Sequence, residues 1–379
     1  MHLMTLKTPL VLQNDTLAAG DYLLEDRNAW EFGYSAEPGS VEMRAYEAAG
    51  CSLTNTQSNP SGDWNGKKIL LIRPGGRGAL MFLGCVIRQI KHRWPDCTVE
   101  IACRPPFREV FAGLPYPDGF SDYPVPWAET WGEHNAVVSL EGCTEWGEDA
   151  RNLHIVDAFA KRCGIEVPEF PTARYPSFAV SVAERLAVGL KYPYGDKPRL
   201  ALQPFGSVGT RCYPFEQMIT VVGELQKRGW EIMLVGSPQD GPPGRTLGNV
   251  QSQPRDGVFN AATEFPGFRQ QCSVVACSDA FLGPDSVFLH VAGALGIPAV
   301  GLFGSTSWRL RTSGAGTQAL TSPECEMAPC HYFPRGWFDF PQNEKAPCSN
   351  LRRCSALAGI KPERIVAKVD ALRPTKEKG

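Results

Sequence analysis

The sequence lacks an excess of positive charge. Its 38 lysines and arginines are offset by 40 acidic residues, giving a net charge of −2. A protein built to hold nucleic acid normally carries a basic surplus, so nucleic acid is not an expected partner. The cluster Lys91-His92-Arg93 reads as the solvated end of a helix, with a local basic patch as the alternative. Uninterrupted apolar runs are also missing. The most apolar tract, residues 273–304, is broken by Asp279, Pro284 and Asp285, so no membrane-spanning helix is expected. The first ten residues hold no basic segment leading into an apolar one, and no export signal is read there. The thirteen cysteines are an odd number without the tight pairing of Cys-x-x-Cys hairpins. Together these absences point to a reducing, cytoplasmic setting in which most cysteines act as small buried hydrophobes.

What is present describes a soluble globular chain. A length of 379 residues, 43% of them hydrophobic and 21% charged, suits two or three domains with well-buried cores. Residues 1–66 form a β-rich extension and linker. Pro9–Gln13 and Asp21–Glu25 read as short strands, Glu31–Tyr34 and Val41–Arg44 alternate as half-buried strands do, and residues 54–66 are linker-like.

From residue 67 the pattern becomes α/β. Lys68–Arg73 is a buried strand, Pro74–Gly78 a loop and Ala79–Arg93 a helix, followed by strands Thr98–Ala102 and Ala136–Leu140. Strands alternating with helices imply a parallel sheet, here a first domain over residues 67–192. A second begins at 193 and runs to 360. It contains strand Arg199–Gln203, loop Gly206–Arg211, helix Phe215–Arg228 and strand Glu231–Val235. Residues 361–379 supply a closing amphipathic helix, Pro362–Leu372, and a tail. Ligands of such sheets bind beyond the carboxyl ends of the strands. That rule gathers Ser207, Thr210, Arg211, Asp240, Asp285, Ser286 and His290 around one crevice.

The most informative segment is Gly283–Thr306. Ala280–Leu282 closes a strand, Asp285 or Ser286 can cap the next helix, and Gly296 and Pro298 stop it before the apolar strand Ala299–Phe303. Ser286 and His290 lie one turn apart on that helix. A carboxylate, a hydroxyl and an imidazole thus meet at a helix start, where unpaired N–H groups attract anions. Read alone, the segment fits a plain capping role equally well.

Over residues 67–372 these motifs resemble the heptosyltransferase family, inverting glycosyltransferases of the GT-B fold that use ADP-heptose to build lipopolysaccharide core. The resemblance is strongest from Phe281 to Thr306. It implies two doubly wound Rossmann-like domains facing a cleft, with the small β-rich N-terminal extension added. It implies a nucleotide-diphosphate sugar as donor, ADP-heptose first, and a glycan, lipopolysaccharide or protein acceptor; it leaves a homo-oligomer open. It assigns Asp285, Ser286 and the helix amides to the donor's diphosphate, with His290 behind them. Ser207 and Thr210 fall in the family's hydroxyl-bearing loop, Arg211 in the place of a lysine, and Asp240 at a ribose-binding acid.

Two departures stand out. The family's glycine loop ends in Gly-Asp, whose aspartate is the proposed base for the acceptor; here the pair is Gly78-Ala79. Glu141, His154 and Asp157 are the substitute candidates within the first domain. Val287 replaces a glycine beside the diphosphate. A non-catalytic GT-B protein with a binding or assembly role is therefore the alternative to a transferase.

Near the end, Cys325, Cys330, Cys348 and Cys354 form two pairs spaced as a tetrathiolate zinc or iron site would be. Reduced or buried thiols, or a disulfide, are the other readings. Such cysteine-rich ends also occur in relatives of the family with an iron-binding finger; a metal held here by four thiolates would be structural, since no coordination position is left open.

Overall fold

The computed structural model describes residues 2–6, 10–12, 15–17, 20–24, 52–55, 63–126, 133–140, 143–144, 147–207, 209–237, 247–251, 257–311, 313–326, 328–330 and 354–374. Two compact units form, Met1–Glu169 and Phe170–Gly379.

The first unit opens with β1 (His2–Leu6), β2 (Leu10–Leu12), β3 (Asp15–Leu17), β4 (Gly20–Leu24) and β5 (Ser52–Asn55). β1 pairs antiparallel with β4 and β5, and β2 with β3. The β-rich reading of this extension therefore holds, although the strands expected over 31–34 and 41–44 lie outside the described residues.

The α/β part follows with β6 (Lys68–Ile72), β7 (Thr98–Ala102), β8 (Gly119–Ser121), β9 (Val125–Pro126) and β10 (Ala136–Ser139). β9 joins the edge of β4, while the others form a parallel sheet in the order β8-β7-β6-β10. Ile69 to Ile72 are all fully buried, as expected of a strand covered on both faces. Helix α1 (Arg77–Arg93) buries Leu80 to Ile87 and Ile90. Its last turn carries Lys91, His92 and Arg93, which suit the negative helix end, so the basic cluster is indeed a helix terminus. The helix begins two residues before the expected start because Gly76, at φ +83°, takes the left-handed turn that redirects the chain. Helix α2 (Ile155–Arg162) packs against α1.

The second unit holds α3 (Val182–Lys191), β11 (Arg199–Leu202), α4 (Phe215–Lys227), β12 (Glu231–Leu234), β13 (Val258–Phe259), α5 (Phe268–Ala276), β14 (Ala280–Pro284), α6 (Val287–Ala294), β15 (Ala299–Leu302), β16 (Thr317–Leu320) and α7 (Pro362–Asp370). Its six parallel strands run β13-β12-β11-β14-β15-β16. Numbered within the unit, that is 3-2-1-4-5-6, the doubly wound order whose switch point lies between β11 and β14. The core includes Tyr213, Trp230, Leu282, Val300 and Val369. The closing helix packs back onto the body as expected, against α4, with Trp230 Nε1 donating to Asp370 Oδ1 at 3.2 Å.

Residues 170–192, placed by sequence with the first domain, are part of this second unit. A capping box of Ser181 and Glu184 starts α3, and Arg269 of α5 pairs with Glu184 at 2.8 Å. The Arg269 hydrogen bond, aided by Ser181 and opposed by partial desolvation, holds the Glu184 carboxyl down at about 2.

Candidate functional site

The switch point places Gln203, the first residue past β11, beside Ser286, the second past β14. Gln203 donates from Nε2 to the Phe205 carbonyl at 2.9 Å, which turns its Oε1 toward the Ser286 hydroxyl, and that hydroxyl donates to it. Ser286 occupies the N-cap position of α6, yet its side chain makes no capping bond. The expected N-cap position is thus Ser286, but bonding to Gln203 takes its hydroxyl, and the first amides of α6 are left without a side-chain cap. At the other end, Gly296 at φ +71° closes the helix. Ile297 N–H donates to Ala292 O and Gly296 N–H to Gly293 O, a Schellman pattern.

Asp285 is only 3% exposed, and a guanidinium and an imidazole approach it. Arg211 Nη2 lies 3.7 Å from Oδ2, and His290 Nε2 lies 3.6 Å from Oδ1. Burial pushes the Asp285 carboxyl up. Arg211, His290 and Arg311, with a hydrogen bond from Thr306, outweigh that and hold it below the usual carboxylate range. The arginine reaches the site because the loop after β11 is tightly curled. A Cβ at Gly206 would come within 2.8 Å of Arg211 Cβ, and Cys212 Sγ donates to the Gly206 carbonyl at 3.3 Å. Three buried oxygens here, Thr210 Oγ1, Ser305 Oγ and Asp285 Oδ2, have no hydrogen-bond partner among the described residues.

An anion-friendly helix start, a buried acid and a cation thus meet beyond the carboxyl ends of two strands. Residues 150–330 match the model of glycosyltransferase family 9 (heptosyltransferase). Solved heptosyltransferases share the fold. Escherichia coli ADP-heptose LPS heptosyltransferase II is 15% identical, covers 80% of this chain and 98% of its own, and superposes with a TM-score of 0.59. The iron-containing dodecameric glycosyltransferase TibC of enterotoxigenic E. coli is 13% identical over 81% of this chain and 76% of its own, with a TM-score of 0.57. E. coli heptosyltransferase WaaC with ADP is 12% identical over 81% and 100%, at 0.52. No curated protein matches the chain in sequence. The heptosyltransferase resemblance and the GT-B-type α/β fold are therefore both borne out.

Of the donor-site residues expected within this heptosyltransferase-like fold, Arg211, Asp285 and His290 converge directly, and Thr210 lies buried next to Arg211. Ser207 is exposed, and Asp240 lies outside the described residues. Sequence reading missed Gln203, Thr306, Arg311 and Ser313. Gln203 was discoverable, since it directly follows the strand that opens the second sheet. Arg311 and Ser313 sit in a loop with no motif, and only the packed chain brings them to Asp285 and His290.

Among the base candidates, Glu141 lies outside the described residues. His154 is buried at the start of α2, where its Nδ1 accepts from Val156 N–H at 3.3 Å and its ring meets Phe82 edge-on. Asp157 is half-buried in the first turn of that helix. Ala79 is partly buried in the first turn of α1, a turn that contains no acidic residue.

Cys348 also lies outside the described residues, and the other three thiols do not make a metal-ligating group among those described. Cys354 instead belongs to the hydrophobic core, where a Cβ at Gly304 would come within 2.6 Å of its sulfur. Cys325 packs against the same core. No described helix is long and apolar enough to cross a membrane.

Proposed function

We propose that this protein transfers a sugar, heptose first, from a nucleoside-diphosphate donor to the hydroxyl of a glycan, lipopolysaccharide or protein acceptor with inversion, and that its second unit grips the donor. The carrying observation is the meeting of half-buried Arg211 with buried Asp285 and His290 beside a helix start that has no side-chain cap. Buried polar atoms without a hydrogen bond cost about 1–3 kcal/mol each, so Thr210 Oγ1 and Ser305 Oγ favour a polar ligand that completes their bonds. In this reading Arg211 and the helix amides stabilise the charge building on a departing diphosphate. Arginine adds a two-pronged grip that the family's lysine lacks.

A second reading, a GT-B protein that binds without transferring, is favoured by Ala79. Inverting transfer needs a base in reach of the acceptor, worth about 10²–10⁴ in rate, and alanine cannot accept a proton. Thermal shift and calorimetry with ADP, GDP, UDP and CMP, followed by turnover of ADP-heptose, separate the two. Saturable ADP binding that weakens about tenfold in Arg211→Ala, a change of about 1.4 kcal/mol, supports the donor site. No response to any nucleotide removes it. Binding without turnover, with turnover appearing in Ala79→Asp, makes the missing base the cause.

A further inference from the structure

His290 makes a contact that neither the diphosphate role nor the family pattern accounts for. Its Nδ1 is hydrogen-bonded to the hydroxyl of Ser313, and that hydroxyl also lies 3.3 Å from the Arg311 carbonyl. The three side chains run in series: Ser313 to His290 Nδ1, then His290 Nε2 to Asp285 Oδ1 at 3.6 Å. The order resembles a hydrolytic triad, but Ser313 is fully buried and unavailable to a substrate. Its place is fixed by backbone packing. A Cβ at Gly293 of α6 would come within 2.8 Å of Ser313 Cβ, and one at Gly314 within 2.7 Å of the Gly293 carbonyl oxygen. The loop therefore locks onto the helix that carries His290.

A hydroxyl has one proton to give. Donated to Nδ1, it leaves a neutral ring whose proton sits on Nε2, facing the carboxylate. Turned instead toward the Arg311 carbonyl, it accepts from Nδ1–H, and the ring is then best held as an imidazolium, since a bare Nε2 lone pair would face Asp285. Either way Nε2 carries a proton toward Asp285, and one rotation of a hydroxyl accommodates both charge states. The charged groups around this series include, among the described residues, Asp285 on the β14–α6 turn and, through it, Arg211 from the loop after β11 and Arg311 from the loop that bears Ser313.

We propose that Ser313 is a positioning residue that keeps the Nε2 proton of His290 aimed at Asp285 Oδ1, and so holds in place the carboxylate whose Oδ2 faces Arg211. The functional consequence rests on the donor-site reading above; the proton arrangement does not.

The test is nitrogen-15 NMR of histidine-labelled full-length protein across pH 5–9, with His290→Gln to assign the signal. The neutral ring of the wild type should show the Nε2–H tautomer. In Ser313→Ala the imidazolium loses its Nδ1 acceptor. Hydrogen bonds to ionised groups are roughly twice as strong as neutral ones, so the His290 titration midpoint should fall by about one pH unit. A neutral wild-type ring protonated on Nδ1 overturns the proposal without any variant, as does a midpoint unmoved or raised by Ser313→Ala. ADP affinity, measured on the same samples, should drop several-fold in Ser313→Ala. Wild-type protein that shows the tautomer yet binds no nucleotide, with the midpoint shift present in Ser313→Ala, would refute the donor-site reading while leaving the Ser313–His290 assignment standing.

Discussion

The two units place the same local motif at the switch point of a parallel sheet, a strand followed by a loop and a helix, but they use their polar groups in opposite ways. In the first unit the residue past β6 is Arg73, which donates to Gly75 O at 3.2 Å and to Leu140 O, beyond β10, at 3.3 Å. Arg77 pairs with Glu109 at 2.7 Å, and the start of α1 carries no acid. In the second unit the corresponding position is Gln203, a neutral bridge to Ser286, and a buried carboxylate follows. Arg211 and Arg311 are drawn to that carboxylate, and two further buried oxygens, Thr210 Oγ1 and Ser305 Oγ, have no hydrogen-bond partner among the described residues. One fold therefore builds a start whose charges answer one another and a start with capacity left for a ligand. Strand order fixes where a site can be; the charges past the strand ends decide whether one is there.

The largest expected effect breaks the second start. Asp285→Asn removes the counter-charge of Arg211, Arg311 and His290, and breaking a buried pair costs about 3–5 kcal/mol. For a chain of this size that lowers Tm by roughly 4–6 °C, measurable by calorimetry at pH 7. The carboxyl is held below its ordinary value, so its stabilisation is present at neutral pH. The gap between wild type and variant should close only as pH falls through that lowered value.

Gly293→Ala comes next. Its new Cβ would meet the Ser313 backbone at 2.9 Å, and overpacking of this kind costs about 1–3 kcal/mol. Urea unfolding should show the loss, with weaker nucleotide binding alongside.

Glu184→Gln tests whether the sharp acid response belongs to the site alone. Loss of its cap and charge-assisted bonds to Arg269 should cost about 1–2 kcal/mol at pH 7. Because the Glu184 pKa is lowered from 4.5 to about 2, the difference should disappear between those values as pH falls. A difference that persisted at pH 2 would contradict the pairing.

The smallest effect sharpens the first start. Ala79→Asp puts a carboxylate in the first turn of α1, where it should stabilise by about 0.3–1 kcal/mol through the helix dipole, read as a small rise in Tm. A fall would mean that the α1 start is too crowded for the carboxylate the family carries there.

Much of this was legible in the sequence, for identifiable reasons. Continuous apolar runs such as Ile69–Ile72 and Ala299–Leu302 announce doubly covered strands, and Gly296 with Pro298 announces a helix stop. Asp285 and His290 were readable because they share one short helix start, and Arg211 because its loop directly follows a strand. Ser286 takes the N-cap position that the local pattern offers, but its hydroxyl bonds to Gln203, 83 residues away, which no local preference encodes. The boundary after residue 192 was drawn at a turn-rich segment, but an ion pair between Glu184 and Arg269 ties α3 to the second unit.

The sequence by itself determined the order of strands and helices, the parallel sheets and the cluster of polar residues past β14, because periodicity, breakers and caps act over a few neighbours. Tertiary structure alone decided the rest. It brought Arg311, Ser313 and Gln203 to Asp285, His290 and Ser286, and it placed Cys354 in an apolar core. Those outcomes depend on burial and on contacts between distant segments, which no local pattern encodes.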